Sequence, residues 1–424
     1  MTTTVDILLE KGEAARTAAR RLAKLSSAVK DRALNGVADA LEAAQETVLE
    51  ANEKDLEAGR AAGLSDALLD RLLLDPERLR GMAADVRSIA LLPDPVGEMF
   101  EVRTLPNGLT VGKKRVPLGV IGAIYESRPN VTADISALCL KSGNACILRG
   151  GREAFNSNLA LTGMVRRAIA QAGVPEGAVQ FVDNTDRALV EPMLRMKEHI
   201  DLMIPRGGAE LVRFVAETAS MPVVAGGIGV CHTYVDKSAD LDKAMGIVYN
   251  AKVQRPTVCN AMDTLLVHSA TAASYLPAVA RELSKAGVEL RCDRRALSMV
   301  GNLDGVTAVP AAPEDWSTEF LSLVAAVRVV DSLDEALEHI EEHGSGHSEA
   351  IITEDYSAAM RFLDEVDAAA VFANASTRFN DGAQFGLGAE VGISTQKYHA
   401  RGPMGLRELT SHKWIVLGTG QVRT

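Results

Sequence analysis

Residues 119–151 read GVIGAIYESRPNVTADISALCLKSGNACILRGG. An apolar segment (GVIGAIYE) leads into a helical one (VTADISALCLKSG), and a second apolar segment (ACILRG) follows at once. The same alternation continues through FNSNLALTGMVRRAIAQAG, AVQFVD and IDLMIP, so that residues 118–235 form a series of strand–helix–strand units. Strands alternating with amphipathic helices predict an α/β fold with a parallel sheet, whose ligands bind beyond the carboxyl ends of the strands.

On the carboxyl side a second α/β series runs from about residue 232 to 372, including DTLLVH, YLPAVARELSKAG, VAAVRVV, LDEALEHIEEH and AIITED. On the amino side, residues 1–90 are rich in Ala, Leu, Glu and Arg at helical spacing. The stretch LNGVADALEAAQETVLEANEKDLEAG within them reads as helix closed by Gly59 at its carboxyl end. Between these regions, Pro106-Asn107-Gly108 divides two alternating segments and predicts a β-hairpin over 98–117, an element suited to meeting another subunit. The chain has no internal repeat and no low-complexity linker.

At 424 residues with 47% hydrophobic content the chain suffices for two or three domains around a large core. A formal net charge of −11, without a basic run, argues against nucleic acid or an anionic membrane surface as partner. The start MTTTVDILLEKGEAARTAARR lacks an uninterrupted apolar segment, and no stretch approaches the roughly 18 apolar residues that cross a bilayer, so the expected location is cytoplasmic.

The first series delivers Arg128 (YESRPN), Arg149 (ILRGG) and Arg206 (IPRGG) to the ends of its strands. Three guanidiniums on one rim suit anionic ligands, although each alone reads equally well as a surface ion pair. Gly207-Gly208 open a helix after a strand, where backbone N–H groups could face a phosphate or simply form a tight turn. VVAGGIGV at 223–230 is a second glycine loop or a close-packed crossover between domains. HIEEH at 339–343 fits a metalloprotease pattern, but the glycines of HGSGH stop the helix directly afterwards, so it reads as a solvated helix end and no metal is expected.

The five cysteines, at 139, 146, 231, 259 and 292, show no metal-ligand or disulfide spacing. Cys139 and Cys146 lie in apolar runs and read as inert. Cys259, in NAKVQRPTVCNA, follows Arg255 and precedes Asn260 and an apolar strand. An ordinary thiol, with a pKa of about 8.5, is only slightly ionised at neutral pH, and a neighbouring arginine or helix N-terminus lowers that value enough to make a nucleophile.

RVPLGVIGAIYESRPNVTADISALCLKSGNACILRGG, IPRGGAELVRF and VQRPTVCNAMDTLLVH, in this order, closely resemble the gamma-glutamyl phosphate reductase (glutamate-5-semialdehyde dehydrogenase) family, a proline-biosynthesis branch of the aldehyde dehydrogenase superfamily. The likeness extends through HGSGHSEAIITED and GLGAEVGISTQKYHARGPMGLRELTSHKW. It implies an aldehyde dehydrogenase-like fold with a Rossmann-like cofactor domain (1–229, with its helical layer and the hairpin 98–117). It further implies a catalytic domain (230–373) and a tail (374–424) that returns to the cofactor domain and serves oligomerisation. Cys259 falls on the nucleophile and Asn130 on an asparagine that helps form the oxyanion hole. Glu319 of TEFLSL falls on a cofactor-contacting E-x-F segment, although Glu319 and Phe320 are adjacent here. Arg149 and Arg152 follow the strand where the superfamily contacts the cofactor ribose, Gly207 and Gly208 join the cofactor set, and Arg128 and Arg255 are candidates for substrate phosphate.

Hydrolytic members of the superfamily carry a glutamate base where this chain has Val224, in VVAGG. The resemblance therefore implies acyl transfer to phosphate rather than water: NADPH-dependent reduction of L-gamma-glutamyl 5-phosphate to L-glutamate 5-semialdehyde through a cysteine thioacyl intermediate. The partners implied are a small-molecule substrate, further copies of the chain in a dimer or tetramer, and the upstream glutamate 5-kinase. A coenzyme A-dependent acylating dehydrogenase and a catalytically silent scaffold on the same fold remain the alternatives.

Overall fold

A computed structural model describes residues 4–224 and 226–423. The chain forms two compact units, one of Met1–Ala225, Gly386–Gly392 and Met404–Thr424, the other of Gly226–Phe385 and Ile393–Pro403.

In the first unit the quoted stretch folds as strand Val120–Tyr125, helix Asn130–Lys141 and strand Ala145–Gly150. A four-stranded parallel sheet runs in the order Val179–Phe181, Ala145–Gly150, Val120–Tyr125, Leu202–Arg206. Every residue of Val120–Tyr125 is buried, as expected for a central parallel strand covered on both faces. Tyr125 pairs in register with Gly150 on one side and Arg206 on the other, so three strands end together and carry their loops to one rim. The helix between them closes on Gly143, whose φ of +79° lets the Asn144 amide reach back to the Cys139 carbonyl at 2.7 Å.

Five helices, Thr4–Leu22, Ser27–Ala43, Gln45–Ala61, Asp66–Leu72 and Pro76–Leu91, form the amino-terminal layer. Two buried lysines tie it to the sheet domain. Lys30 pairs with Asp94 and donates to the Lys141 carbonyl at 3.0 Å, while Lys141 pairs with Asp31 at 2.5 Å and donates to the Ala90 carbonyl at 2.6 Å. Each buried ammonium thus has a carboxylate and a carbonyl, which its desolvation requires. The expected helix end at Gly59 is corrected: the helix runs to Ala61, and the left-handed residue is Gly63, with φ +75°. Gly59 is instead an interior position, where a Cβ would meet Leu64 and Leu69 at 3.0 and 3.2 Å.

The hairpin forms between Met99–Thr104 and Thr110–Pro117, with Gly108 at φ +82° in the turn. Strand Thr410–Leu417, from the far end of the chain, extends it to three strands in an unbroken antiparallel register. Val102, Trp414, Val416 and Leu417 are exposed on it.

The second unit is a seven-stranded parallel sheet in the order Ala308–Pro310, Glu289–Cys292, Val324–Val330, Met262–His268, Cys231–Val235, Ser348–Ile352, Ala370–Ala373. The short pair Ile393–Ser394 and Gly402–Pro403 is antiparallel. No helix among the described residues is long and apolar enough to cross a membrane.

In the first unit, Asp55 is a buried carboxylate at the start of helix Phe155–Gln171. It accepts the amides of Asn156 (3.1 Å) and Ser157 (2.8 Å) and the Ser157 hydroxyl (2.6 Å), so an acidic side chain of one helix satisfies the orphan donors of another. Asp55→Ala leaves those donors buried without partners. It is expected to cost about 2–3 kcal/mol, read as a lower urea midpoint at unchanged slope.

Candidate active site

In the second unit, helix Leu241–Val253 ends ahead of the turn that carries Gln254, Arg255 and Cys259, and strand Met262–His268 follows. Cys259 is half-buried, whereas the other four cysteines are buried. Its backbone is held from several sides. Gly229 lies so close that a Cβ there would stand 1.7 Å from the Cys259 carbonyl oxygen, so only glycine fits. The Cys231 thiol donates to the same carbonyl at 3.1 Å. Burial pushes the Cys231 thiol well up, which keeps it a neutral donor.

Asn260, the next residue, is buried. Its side-chain amide donates to the carbonyls of Asn380 (3.0 Å) and Arg378 (3.5 Å), and its own carbonyl accepts the Thr377 hydroxyl at 2.7 Å. Asn380 in turn donates to Ser348 Oγ at 2.8 Å, and Ser348 Oγ lies 2.8 Å from His347 Nδ1. The segments entering strands Cys231–Val235, Met262–His268 and Ser348–Ile352 therefore meet at the amino ends of the sheet. Glu319, which precedes strand Val324–Val330, joins them there: its carboxylate accepts the Gly229 amide at 3.0 Å, and burial raises its pKa. The next amide, Phe320, donates to Asp263 at 3.1 Å. Asp263 faces Lys252 at 3.5 Å, both nearly inaccessible, and burial pushes its carboxyl up to about 6 against the pull of Lys252.

The reading of HIEEH as a solvated helix end needs correction at its first histidine. His339 is 2% exposed, packs edge-on to His232 and Trp316, and faces the Arg328 guanidinium at Nδ1 over 2.7 Å. Burial and neighbouring cations push it down to about 2, so it is neutral. His343 lies 2.9 Å from Ser317 Oγ, and no metal-holding group of His, Cys, Asp or Glu side chains exists among the described residues.

In the first unit, the loop after strand Val120–Tyr125 is pinned by Glu153. That carboxylate accepts the Ser127 amide (2.7 Å) and hydroxyl (2.8 Å), holding Ser127 at φ +37° just before Arg128. Asn130 opens the following helix and donates one side-chain N–H to Asp134 at 2.9 Å, which leaves the amide's second N–H. Burial pushes Asp134 up to about 7. Arg152 is exposed in the short turn after strand Ala145–Gly150. Arg149 is 8% exposed; it donates to the Asp186 carbonyl at 3.2 Å, its Nε is buried without a partner, and burial followed by Arg187 lowers its pKa. The Gly208 amide donates to the Glu126 carboxylate at 2.9 Å, and a Cβ on Gly207 would collide with the same group. Arg206 packs against Gly392, and Val224 is buried with its amide on the Met203 carbonyl at 2.9 Å.

Cys259, Arg255 and Glu319 thus belong to one cluster of the second unit. Arg128, Asn130, Arg149, Arg152, Gly207 and Gly208 follow strands of the first. Sequence reasoning noted Gly229 within the 223–230 glycine loop and Cys231 among the cysteines without giving either a role here, and it passed over Thr377, Arg378 and Asn380. Of these, only the glycine run before Cys231 carried a local signal.

Residues 8–297 and 306–415 match the aldehyde dehydrogenase family. A gamma-glutamyl phosphate reductase of Dehalococcoides mccartyi (strain CBDB1) is 61% identical over 414 residues, 98% of each chain. The crystal structure of gamma-glutamyl phosphate reductase from Thermotoga maritima superposes with a TM-score of 0.96 at 47% identity, covering 98% of this chain and 100% of that one. An acetylating aldehyde dehydrogenase from Geobacillus thermoglucosidasius shares the fold at 17% identity (TM-score 0.69, covering 99% and 98%). With identity this high over nearly the whole length, the chain belongs to the aldehyde dehydrogenase family and, within it, to the gamma-glutamyl phosphate reductases.

Proposed function

We propose that the protein reduces L-gamma-glutamyl 5-phosphate to L-glutamate 5-semialdehyde with NADPH, releasing inorganic phosphate. The observation that carries this reading is the Cys259 cluster: a half-buried thiol on a backbone held by Gly229, Cys231 and Asn260, in a chain 61% identical to a gamma-glutamyl phosphate reductase.

In this mechanism the Cys259 thiolate attacks the γ-carbonyl. The C–S bond forms, the carbonyl electrons move onto oxygen, and on collapse the C–O bond to phosphate breaks, leaving a thioacyl enzyme. The oxyanion is stabilised by the Cys259 backbone N–H. Arg255 holds the departing phosphate. The buried Arg149 Nε, without a partner beside Arg187, fits an anionic ribose phosphate, and Arg149 with Arg152 would hold that end of NADP(H). NADPH, when bound, would supply hydride to the thioacyl carbon; the C–S bond of the resulting hemithioacetal then breaks as the carbonyl re-forms, which releases the semialdehyde and returns the Cys259 thiolate.

Cys259→Ala removes the covalent route, so turnover is expected to vanish while the circular dichroism spectrum and melting temperature stay near wild type. A variant keeping a tenth of the wild-type rate would sink the nucleophile assignment.

NADPH is expected to be preferred over NADH by roughly ten- to 150-fold in kcat/KM, the worth of one hydrogen bond between charged groups. Arg149→Ala should erode that preference, and equal kcat/KM for both cofactors in the wild type refutes the assignment.

Oxidation of the semialdehyde should depend on inorganic phosphate. Val224 offers no carboxylate to deprotonate water, and general-base catalysis is typically worth about 10²- to 10⁴-fold, so hydrolysis of the thioester is slow. Steady-state NADPH formation in a phosphate-free, non-nucleophilic buffer of matched ionic strength is the check. An undiminished rate there, or one restored only by coenzyme A, overturns the phosphorylating mechanism.

A further inference from the structure

The segment Thr377–Asn380 lies against the nucleophile loop. It holds Asn260 by three hydrogen bonds, and the Arg378 side chain crosses to the other end of that loop, where its Nε donates to Gln254 Oε1 at 3.1 Å. Gln254 is the residue before Arg255, so two guanidiniums stand at one side of the turn that carries Cys259. Anchoring through Nε leaves the outer fork of Arg378, the part that matches phosphate oxygens, facing away from its anchor.

Arg378 lies within electrostatic reach of Arg255, Cys259, Asp381 and Cys231, and its pKa is lowered by burial first and by Arg255 second. Asp381, the carboxylate among them, accepts the amides of Ala383 (2.9 Å) and Gln384 (3.2 Å) and so serves its own turn. Arg378 is half-buried and Arg255 exposed; a partly desolvated guanidinium with a second cation in electrostatic reach is an arrangement that an incoming anion relieves.

We propose that Arg378 is a substrate-binding residue and that, with Arg255, it forms a two-guanidinium cradle for the acyl phosphate group and for the inorganic phosphate derived from it. This rests on the reading of the protein as a phosphate-releasing reductase. Phosphate rather than the α-carboxylate is the match because it is joined directly to the carbon that Cys259 attacks, whereas the carboxylate lies at the other end of the substrate. A dianion with several peripheral oxygens also engages two forks at once.

The test is protection of Cys259 from iodoacetamide by inorganic phosphate, with the alkylated residue located by peptide mass spectrometry, alongside the KM for phosphate in semialdehyde oxidation. In the wild type, phosphate should slow alkylation saturably. In Arg378→Ala, half-protection and KM should both move to roughly ten- to 150-fold higher phosphate, with the KM for semialdehyde changed less than about twofold. Arg378→Lys keeps the charge without the fork and should still lose several-fold. It carries the same test should the alanine variant fail to fold.

Equal protection of wild type and both variants overturns the role of Arg378 and leaves the proposed reaction standing. A rise in the KM for semialdehyde with phosphate unaffected also overturns it, reassigning Arg378 to the carboxylate. If phosphate neither protects the wild type nor is needed for semialdehyde oxidation, the reductase reading and this inference fall together.

Discussion

The contact on which the Cys259 loop depends is that between Gly229 and the carbonyl of Cys259, where a single Cβ would stand 1.7 Å from oxygen. No side chain can be accommodated there, so the segment leading into strand Cys231–Val235 packs backbone to backbone against the loop leading into the neighbouring strand. The Gly229 amide is then free of its own sheet, and Glu319 takes it at 3.0 Å. Two residues on, the Cys231 thiol returns to the same carbonyl. A loop held through its main chain keeps its geometry whatever the Cys259 side chain is doing, which the proposed covalent intermediate would require because that side chain would change its bonding in every turnover.

This arrangement inverts the usual position of a ligand site in an open parallel sheet, beyond the carboxyl ends of the strands. In the second unit the cluster gathers at the amino ends, where the segments before Cys231, Met262, Val324 and Ser348 converge. Chain entering a strand is not yet committed to the ladder, so its polar groups need partners from outside it. The network of Asn260, Thr377, Asn380 and Ser348 supplies them. The buried pair Lys252 and Asp263 does the same beneath Phe320, and Lys252 also stacks 5.8 Å from the Phe320 ring. Such a pair adds little net stability against an apolar substitute, but removing either partner strands the other, so it fixes one arrangement of the loop above it.

Local pattern carried the elements that local physics determines. The apolar run Val120–Tyr125, the Pro106-Asn107-Gly108 turn and the polar loop around Cys259 were legible because burial, turn chemistry and thiol environment leave marks within a few residues. Pairings between distant segments left none. Strand Thr410–Leu417 joins the hairpin from about 300 positions away in sequence, and Arg378 reaches Gln254 across 124 positions. Gly59 looked like a helix end because glycine does end helices, yet close packing against the Leu64 and Leu69 side chains favours the same residue in a helix interior. His339 looked solvated because the glycines of HGSGH end its helix directly afterwards, and only the tertiary neighbours Trp316 and His232 reveal it as interior.

The glycine turn at 207–208 shows how one physical rule supports two outcomes. A helix N-terminus with bare backbone N–H groups attracts a negative charge, which is why the sequence suggested a phosphate there. The protein itself provides that charge, since the exposed Glu126 carboxylate accepts the Gly208 amide at 2.9 Å. Any anion that binds at this turn therefore exchanges for Glu126 rather than entering a vacant site. Its gain is the difference between two charge-assisted hydrogen bonds, not the full worth of one. Arg149 differs: its Nε is buried without a hydrogen-bond partner, although Asp186 and Glu153 as well as Arg187 lie within its electrostatic reach. An anion at Arg149 would therefore meet a donor that the protein leaves unused, whereas one at the glycines would first have to displace Glu126.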